Sequence, residues 1–537
     1  MTAPPPDHLE VEWQYDALVL EPIIEWLNVA QVPGYTVTPI KVREVRDTYY
    51  DTADWRIFRG GFTCRLRHDV EGGGELTLKS MATAKDGLRS RREMNELLTE
   101  GQRRPEEGAG LCSEAVRLMA GRRHVEALFT LHQKRHTYDL ADGLGRIGEI
   151  SVDETTIELS GQSLRRVELE VAPEAVARAE RFRGVLVAVG SLQPATTSKY
   201  EAALQAAGIH PAPTETTLGS TEISASMGAG QVAFAVMRRH FATFLANEPG
   251  TRLGEDIEAL HDMRVAARRL RAAMQAFRPW LPVRAQRFRN ELGYVGRALG
   301  EVRDLDVFLE TLESWEHDDP EHAEALAAIG TVLQARRNVA RSRMLTVLDR
   351  RRYDIFVERF AAWLRHGSPV SFVAGRQPIL AVAPGLVEKR YARVRKLANA
   401  ITAESPPADY HNLRIEGKKL RYAVEFVTPV YGQPATDFAK QLTALQDVLG
   451  LHQDAYVAMD LLGELASTSG RRLGPETVLA MGSVQERYRR DAANLRGQFP
   501  RVYKPMRKRW RALRSTMDSR VPPAPVLAKV TAGAAGR

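Results

Sequence analysis

The sequence predicts a multidomain protein in which an α+β domain precedes an all-α domain. The chain has 537 residues, too many for a single hydrophobic core. Residues 7–205 contain short segments of alternating charged and apolar residues between glycine-rich turns, which is typical of antiparallel strands. In residues 223–517 the apolar side chains recur at helical spacing. Residues 206–222 have a linker composition, and residues 518–537 that of a disordered tail.

Composition favours a globular protein that binds polyanions in a reducing compartment. Lysine and arginine number 75 against 67 aspartate and glutamate residues, so the net charge is +8. The two cysteines, Cys64 and Cys112, are too few for a disulfide framework or a cysteine-based metal site. No stretch of the sequence approaches the roughly 20 apolar residues of a membrane span, and the proline-rich start does not resemble a signal peptide. We therefore expect a cytoplasmic protein.

Charged residues alternate with apolar ones along several predicted N-terminal strands. The first strand places Glu10, Glu12 and Gln14 on one side. The same alternation recurs at Arg65 and Arg67, Thr77 and Lys79, Arg91 and Glu93, and Glu168 and Glu170. On an open sheet these residues would form the solvated face. If the sheet closes into a barrel, they line a tunnel in which carboxylates suit Mg²⁺ or Mn²⁺ and basic groups suit a triphosphate.

An internal repeat organises the C-terminal domain. Residues 260–271 match residues 410–421 at an offset of 150 positions. The register continues, since Gly300 and Asp304 fall opposite Gly450 and Asp454. Two copies of one helical unit, related by pseudo-twofold symmetry, are therefore predicted.

Each copy of the repeat predicts a helix with one apolar face and one cationic face. At about 100° per residue, four basic positions share an arc in the first copy, His261, Arg264, Arg268 and Arg271, and in the second, His411, Arg414, Lys418 and Arg421. No glutamate at i+4 neutralises the first stripe, and only Glu425, four residues after Arg421, does so in the second. Arginine and lysine suit phosphate oxygens. Two such faces that line one groove would bind a chain of phosphates. The helix preceding each copy adds the candidates Arg238, Arg239, Lys389, Arg390 and Arg393.

The ordered N-terminal motifs resemble the CYTH domain of triphosphate tunnel metalloenzymes over about residues 8–203. The motifs are Glu10-x-Glu12, Asp47 to Asp51, Gly61 to Arg67, Thr77-Leu-Lys79, Arg91 to Asn95, Glu149 to Asp153, Glu168-Leu-Glu170 and Ser198-Lys199-Tyr200. The resemblance implies an antiparallel β-barrel tunnel that hydrolyses inorganic triphosphate with Mg²⁺ or Mn²⁺. It implies metal binding by Glu10, Glu12, Glu149, Asp153, Glu168 and Glu170, substrate binding by Arg65, Arg67, Lys79, Arg91 and Lys199, and catalytic roles for Glu10, Glu12, Lys79 and Lys199.

One position departs from the CYTH signature. The family pattern is Glu-x-Glu-x-Lys, and this chain has Gln14 where the lysine belongs. Loss of one phosphate-facing ammonium group predicts a rate lower by roughly 10²- to 10³-fold. Reduced activity, altered substrate choice and binding without catalysis all remain open.

The C-terminal half resembles a CHAD domain, a helical family with a repeated histidine. The resemblance spans nearly 300 residues and implies two pseudosymmetric four-helix bundles whose basic groove binds inorganic polyphosphate. The basic positions of both copies, from His261 to Arg271 and from His411 to Arg421, correspond to the repeated basic residues of the family. The resemblance makes polyphosphate granules the expected place of association.

Three functions follow from these patterns. The first is a metal-dependent triphosphatase that captures polyphosphate with its helical domain. The second is a non-catalytic polyphosphate receptor, which Gln14 favours. The third is a nucleic-acid binder, which the positive charge permits, although aromatic residues do not interleave with the basic face. We expect polyphosphate or triphosphate as the partner, and competition between polyphosphate and RNA separates the third function from the first two.

Overall fold

The computed structural model describes residues 7–69, 73–81, 88–211, 217–318 and 320–521. The chain divides into two compact units. The first comprises residues 1–213 and 245–260, and the second comprises residues 214–244 and 261–537.

Nine strands in the first unit form one sheet. Their bounds are β1 Asp7–Asp16, β2 Tyr35–Thr52, β3 Phe62–Asp69, β4 Gly74–Ser80, β5 Leu88–Leu97, β6 Val125–Asp142, β7 Gly145–Ile157, β8 Ser163–Val171 and β9 Gln193–Pro194. The order β5-β4-β3-β2-β6-β7-β8-β1-β9 is completed by an antiparallel pairing of β5 with β1. This pairing closes eight strands into an antiparallel barrel, as the sequence predicts, and β9 adds two residues beside β1.

The barrel reverses the usual placement of charge, because polar side chains point inward and apolar ones outward. In β1, Glu10, Glu12 and Gln14 are buried inside the barrel, whereas Val11, Trp13 and Tyr15 belong to an apolar cluster outside it. Helices cover these outer clusters, namely α1 Glu21–Val29, α2 Arg56–Arg59, α3 Leu111–Ala120, α4 Val176–Gly190 and α5 Lys199–Ala207. Phe182 and Leu186 of α4 contribute to the cluster around Trp13. Covering the outer face leaves the inner face free for chemistry.

The rest of the described chain is helical. Its helices are α6 Ala229–Ala246, α7 Glu248–Leu253, α8 Ile257–Ala276, α9 Ala285–Asp318, α10 Ala323–Leu348, α11 Arg351–His366, α12 Ile379–Ala400, α13 Pro407–Tyr431, α14 Gln433–Leu473, α15 Pro475–Tyr503 and α16 Met506–Arg520. The repeat pairs α6, α8, α9 and α10 with α12, α13, α14 and α15. A fifth helix, α11 or α16, follows the four predicted ones in each copy. The final helix continues into the predicted tail as far as Arg520, and residues 522–537 lie outside the described part of the chain.

The repeated helices bury their predicted apolar faces. Met263, Ala267 and Leu270 of α8 are buried, and so are Leu413 and Leu420 of α13. Since burial of a large aliphatic side chain contributes about 1.5–3 kcal/mol, packing of these faces fixes which side of each helix presents its cations. Across the described residues, no helix has both the length and the apolar character needed to cross a bilayer.

Candidate active site and cationic helical surface

A polar cavity of about 160 Å³ occupies the barrel interior. It is lined by residues of both charge signs, including Glu10, Glu12, Arg65, Arg67, Lys79, Arg91, Glu149, Glu168, Glu170 and Lys199. These ten residues come from β1, β3, β4, β5, β7, β8 and α5. The structure thus brings together all the sequence-predicted N-terminal site residues except Asp153, which lies outside the cavity lining.

Ion pairs link neighbouring strands of the cavity wall. Lys79 Nζ lies 2.7 Å from Glu10 Oε1 and 2.6 Å from Glu93 Oε2. Arg91 pairs with the carboxylates of both Glu10 and Glu12. Burial opposes the charge of Lys79, but Glu10 and Glu93 raise its pKa above the usual range. Both cations are therefore fully charged and could transfer their hydrogen bonds to phosphate oxygens.

Gln14 occupies the signature lysine position between two carboxylates. Its Nε2 donates hydrogen bonds to Glu12 Oε1 at 2.8 Å and to Glu168 Oε1 at 3.0 Å. Since carboxylates only accept, the amide nitrogen must face them and the carbonyl must face away. The side chain is 3% exposed, and within the described structure Oε1 accepts no hydrogen bond. Gln14 therefore reproduces the bridging contacts of an ammonium group without its charge.

Asp47 orients the arginines of β3. Arg67 donates to both Asp47 oxygens, at 2.7 Å each, and Gln133 donates to the same carboxylate. Arg65 Nη1 lies 3.6 Å from Asp47 Oδ2, and its Nη2 donates to Thr77 Oγ1 at 3.0 Å. Burial opposes ionisation of Asp47, but Arg67 and Arg65 hold its pKa well below the usual range. The bidentate pair commits Arg67 more strongly than Arg65, so Arg65 is better placed to turn toward a ligand.

Lys199 is held at the first turn of α5. Ser198 caps this helix, because its hydroxyl accepts from the Glu201 amide at 3.2 Å and its own amide donates to Glu201 Oε2 at 2.7 Å. The cap directs Lys199 into the barrel, where it pairs with Asp153 and lies 2.9 Å from Glu168 Oε2. Arg135 also binds this pair of carboxylates, with Nε and Nη2 at 2.8 and 2.7 Å from Asp153.

Asp153 is therefore a buried partner of two cations. It is 0% exposed, and both of its oxygens accept from Arg135 while one also accepts from Lys199. Asp153 is therefore better placed to orient these two cations than to bind a metal ion. Arg135 could not be predicted from the sequence, because residues 132–136 are polar at every position and show no alternation of polar and apolar side chains.

Asp153→Asn is expected to destabilise the protein by about 3–5 kcal/mol, because it leaves Arg135 and Lys199 with only Glu168 to share. Chemical denaturation measures the change. Glu154→Asn alters the exposed neighbour on β7 and is the control. A loss of less than about 1 kcal/mol for Asp153→Asn would contradict the importance assigned to this buried pair.

Negative charge exceeds what the cations neutralise at one part of the cavity. Burial and the neighbouring Glu10 raise the pKa of Glu12 to about 7. Glu170 is exposed at the cavity, but desolvation by the surrounding barrel wall and the neighbouring Glu10 raise its pKa to about 8. Among the described residues, no three acidic, histidine or cysteine groups form a ready-made metal cage. The donor set fits Mg²⁺, which is usually held by one or two carboxylates together with substrate phosphates.

The helical unit brings the cations of both repeats together. Arg414 and Lys418 of α13 interact electrostatically with Arg268 of α8, and Arg414 also does so with Arg264. Burial, with Arg414 and Arg268 nearby, lowers the pKa of Lys418 to about 7. Four cations from two helices thus repel one another in one region. An anion placed there would relieve this repulsion.

The same local device holds one arginine in each copy. Arg264 lies against Gly300, where an added Cβ would come within 3.5 Å of its Nε, and its Nη2 lies 3.0 Å from Asp304. Arg414 lies against Gly450 in the same way, where an added Cβ would be 3.8 Å from its Nε, and its Nη2 is 3.9 Å from Asp454 Oδ1. Each guanidinium group therefore packs against a glycine of the facing helix and lies beside the aspartate one turn later.

The remaining predicted polyphosphate contacts are distributed among other surroundings. Arg238 donates to the carbonyls of Leu364 and Ser220, and Arg239 donates to that of Thr221. These bonds favour a structural role for both arginines. His411 Nδ1 lies 2.7 Å from Gln453 Oε1, and His261 is partly buried. Another cavity in the same unit is lined by Lys389, Arg390 and Arg393.

Comparison with protein families identifies both units. The CYTH domain model matches residues 23–200, and the CHAD domain model matches residues 235–463. The chain carries a CYTH domain followed by a CHAD domain. The barrel therefore has the CYTH fold, and the repeated helices have the CHAD fold.

Solved structures also resemble parts of the chain. The CHAD domain of the plant Ricinus communis is 23% identical, covering 54% of this chain and 93% of its own, with a TM-score of 0.41. PptA from Streptomyces chartreusis is 23% identical over 55% of this chain and 100% of its own, with a TM-score of 0.41. HpAC1 from Hippeastrum, described as revealing a dominant triphosphatase activity, is 17% identical over 37% of this chain and 97% of its own, with a TM-score of 0.29. None of the curated proteins matches the chain.

Proposed function

We propose that the protein hydrolyses inorganic triphosphate in its CYTH domain and binds inorganic polyphosphate through its CHAD domain. The observation that carries the proposal is the barrel cavity, where carboxylates and charged basic groups pair with each other along the cavity wall. An anionic substrate and a divalent cation can each replace one member of these pairs. Such an exchange keeps every buried charge neutralised.

The basic residues of the cavity would bind the triphosphate. Carboxylates form ion pairs with Lys79, Arg91 and Lys199, so the positions of these cations are fixed before the substrate arrives. Arg65 adds a guanidinium group held by Thr77. Preorganised cations stabilise the negative charge that shifts along the phosphates during hydrolysis. The surrounding barrel wall restricts the access of bulk water.

The carboxylates of Glu10, Glu12, Glu168 and Glu170 would hold the cation. When bound, a divalent cation neutralises phosphate charge and lowers the pKa of a water molecule that can attack a terminal phosphorus. Gln14 keeps Glu12 and Glu168 in place through its amide group. Its carbonyl oxygen faces away from them and is available to accept a hydrogen bond from water.

The CHAD domain supports the polyphosphate part of the proposal through its shared cluster of cations. Arg264 and Arg268 from one repeat and Arg414 and Lys418 from the other lie close enough to influence one another. A linear polyphosphate offers one negative charge at each internal phosphate and so matches a row of cations. Its binding would release counterions and weaken as salt is added.

Two measurements test the proposal as a whole. Phosphate release from inorganic triphosphate is measured with Mg²⁺, with Mn²⁺ and with a chelator, and polyphosphate binding is measured by calorimetry. Cation-dependent release together with binding is expected. Binding without release would identify the non-catalytic receptor, which the uncharged Gln14 favours. Displacement of polyphosphate by RNA at equal phosphate concentration would favour the nucleic-acid binder.

Affinity for Mn²⁺ is expected to rise between pH 6 and pH 8. The pKa values of Glu12 and Glu170, about 7 and about 8, exceed the roughly 4.3 of an unfolded chain. Both carboxyl groups therefore retain protons that a cation must displace. By the same linkage, their contribution to metal-free stability falls as the pH rises from about 4.3 toward 8. Titration calorimetry in two buffers of different ionisation enthalpy counts the released protons, and a pH-independent affinity would contradict this assignment.

Gln14→Lys is expected to increase triphosphate hydrolysis by at least about 10-fold, because an ammonium group would bridge Glu12 and Glu168 and add a positive charge beside the substrate. Initial rates at saturating Mg²⁺ measure the change. Gln14→Met, which has similar length but no charge or amide, is the control and should not increase the rate. Unchanged or lower activity of the lysine variant would mean that the site is arranged around glutamine.

A further inference from the structure

A group of arginines in the first CHAD repeat lines its own cavity. Arg271 of α8 and Arg289 and Arg297 of α9 border a space of about 400 Å³. Burial, Arg289 and Arg297 together lower the pKa of Arg271. Across the described residues, no carboxylate forms an ion pair with any of these three arginines. The cavity therefore concentrates three positive charges that the protein itself does not neutralise.

A glycine and a neighbouring side-chain network border this cavity. Arg271 lies against Gly293, where an added Cβ would meet its guanidinium group at 3.6 Å. At the rim, Arg352 lies 2.8 and 3.0 Å from the Glu291 oxygens and stacks on Tyr294 at 4.4 Å. Arg352 is thus held by its own partners. Arg271, Arg289 and Arg297 are left for an external anion, and Arg271 and Arg297 are exposed to solvent.

The second repeat lacks an equivalent excess of positive charge at the positions that match this cavity. At the offset of 150, Arg289 and Arg297 correspond to Ala439 and Asp447. Arg271 corresponds to Arg421, whose Nε lies 3.6 Å from Glu425 and whose Nη1 donates to Thr443 at 3.5 Å. The matching position in the first repeat is Gln275, which is uncharged. At these positions the first repeat carries three arginines and no carboxylate, whereas in the second Arg421 and Lys440, which stands where the first repeat has Asn290, are balanced by Glu425 and Asp447.

We propose that the cavity formed by Arg271, Arg289 and Arg297 binds the terminal phosphate of a linear oligophosphate, and that this end is recognised only in the first repeat. The inference rests on the proposed polyphosphate binding and deepens it. A terminal phosphate carries between one and two negative charges near neutral pH, whereas an internal one carries a single charge. Three arginines match the more highly charged group, and guanidinium groups bind phosphate oxygens in pairs.

The test exchanges residues between the repeats. Arg289→Ala/Arg297→Asp gives the first repeat the residues of the second, and Asp447→Arg moves in the other direction. Arg287→Ala removes an exposed arginine from the same helix, outside the cavity lining, and is the control. Titration calorimetry on the full chain uses linear polyphosphate of about ten units, polyphosphate of several hundred units, and cyclic triphosphate, which has no terminal phosphate. The CYTH tunnel is unchanged in all variants, so differences between them report the CHAD domain.

The double variant is expected to lose at least about 10-fold in affinity for the ten-unit chain, because two of the guanidinium groups that would bind the terminal phosphate are removed. It should change little toward the long polymer and the cyclic compound, and Asp447→Arg should strengthen binding of the ten-unit chain. Equal losses for linear and cyclic compounds, or no loss at all, would overturn recognition of the chain end. Failure of the wild-type protein to bind any polyphosphate would instead overturn the proposed function.

Discussion

Glu10→Gln/Glu12→Gln is expected to reduce cation-dependent phosphate release from triphosphate by at least about 10³-fold, with polyphosphate binding unchanged. Both side chains are at most 5% exposed within the barrel and contact the cations that would receive the substrate. The substitution preserves shape and hydrogen-bonding capacity but removes two negative charges from the proposed metal set. Loss of a cation that stabilises phosphoryl transfer costs several kcal/mol in the transition state, and 1.4 kcal/mol corresponds to tenfold in rate.

The barrel itself provides a matched control. Glu44→Gln/Glu154→Gln removes two carboxylates from exposed positions on β2 and β7, which gives the same change in net charge. This variant should retain wild-type activity. Thermal unfolding of both variants checks that the barrel is intact. Full activity in a folded Glu10/Glu12 variant would place the metal elsewhere and would overturn the assignment of this cavity.

Arg264→Glu/Arg414→Glu is expected to weaken polyphosphate binding by at least about 100-fold while helical content is retained. Each arginine lies against a glycine of the facing helix and beside an aspartate, so the reversed charge would repel both the ligand and Asp304 or Asp454. The cluster would change by four units of charge, and each phosphate contact that is lost also reduces the dependence of affinity on salt. Binding isotherms at several salt concentrations measure both effects.

Arg343→Glu/Arg501→Glu is the charge-matched control for this variant. Both positions are exposed on other helices of the CHAD domain, so the net charge changes equally while the shared cluster is untouched. A small, uniform loss of affinity is expected from the weaker overall field. If both double variants lost affinity to the same extent, binding would depend on net charge rather than on a specific surface.

The sequence predicts the barrel interior and the repeat because both depend on short-range periodicity. Alternation in β1 correctly places Glu10, Glu12 and Gln14 together, since a strand has a period of two residues. The matched segments around Arg264 and Arg414 predict equivalent helices without any knowledge of tertiary contacts. Both features could be predicted because each depends on residues within a single strand or helix.

Long-range pairing is where the sequence was less informative. Alternation puts Asp153 on the inner side of β7, but only the register with β6 shows that Arg135 lies opposite it. Helical spacing puts Arg238 on a polar face, whereas its carbonyl partners come from residues 144 positions apart in the chain, Ser220 and Leu364. The charge difference between the repeats lies at positions that do not match, such as Arg297 and Asp447, so a search for similar segments does not reveal it.

The internal ion pairs of the barrel would make the two proposed ligands, the divalent cation and the triphosphate, thermodynamically dependent on each other. Removing Glu10 from Lys79 frees a cation for phosphate, and occupying Lys79 with phosphate frees a carboxylate for metal. Each ligand therefore lowers the free energy needed to bind the other, and linkage requires the two effects to be equal. With the proposed ligands, such a tunnel would bind free metal and free triphosphate weakly and would select the complex that they form together.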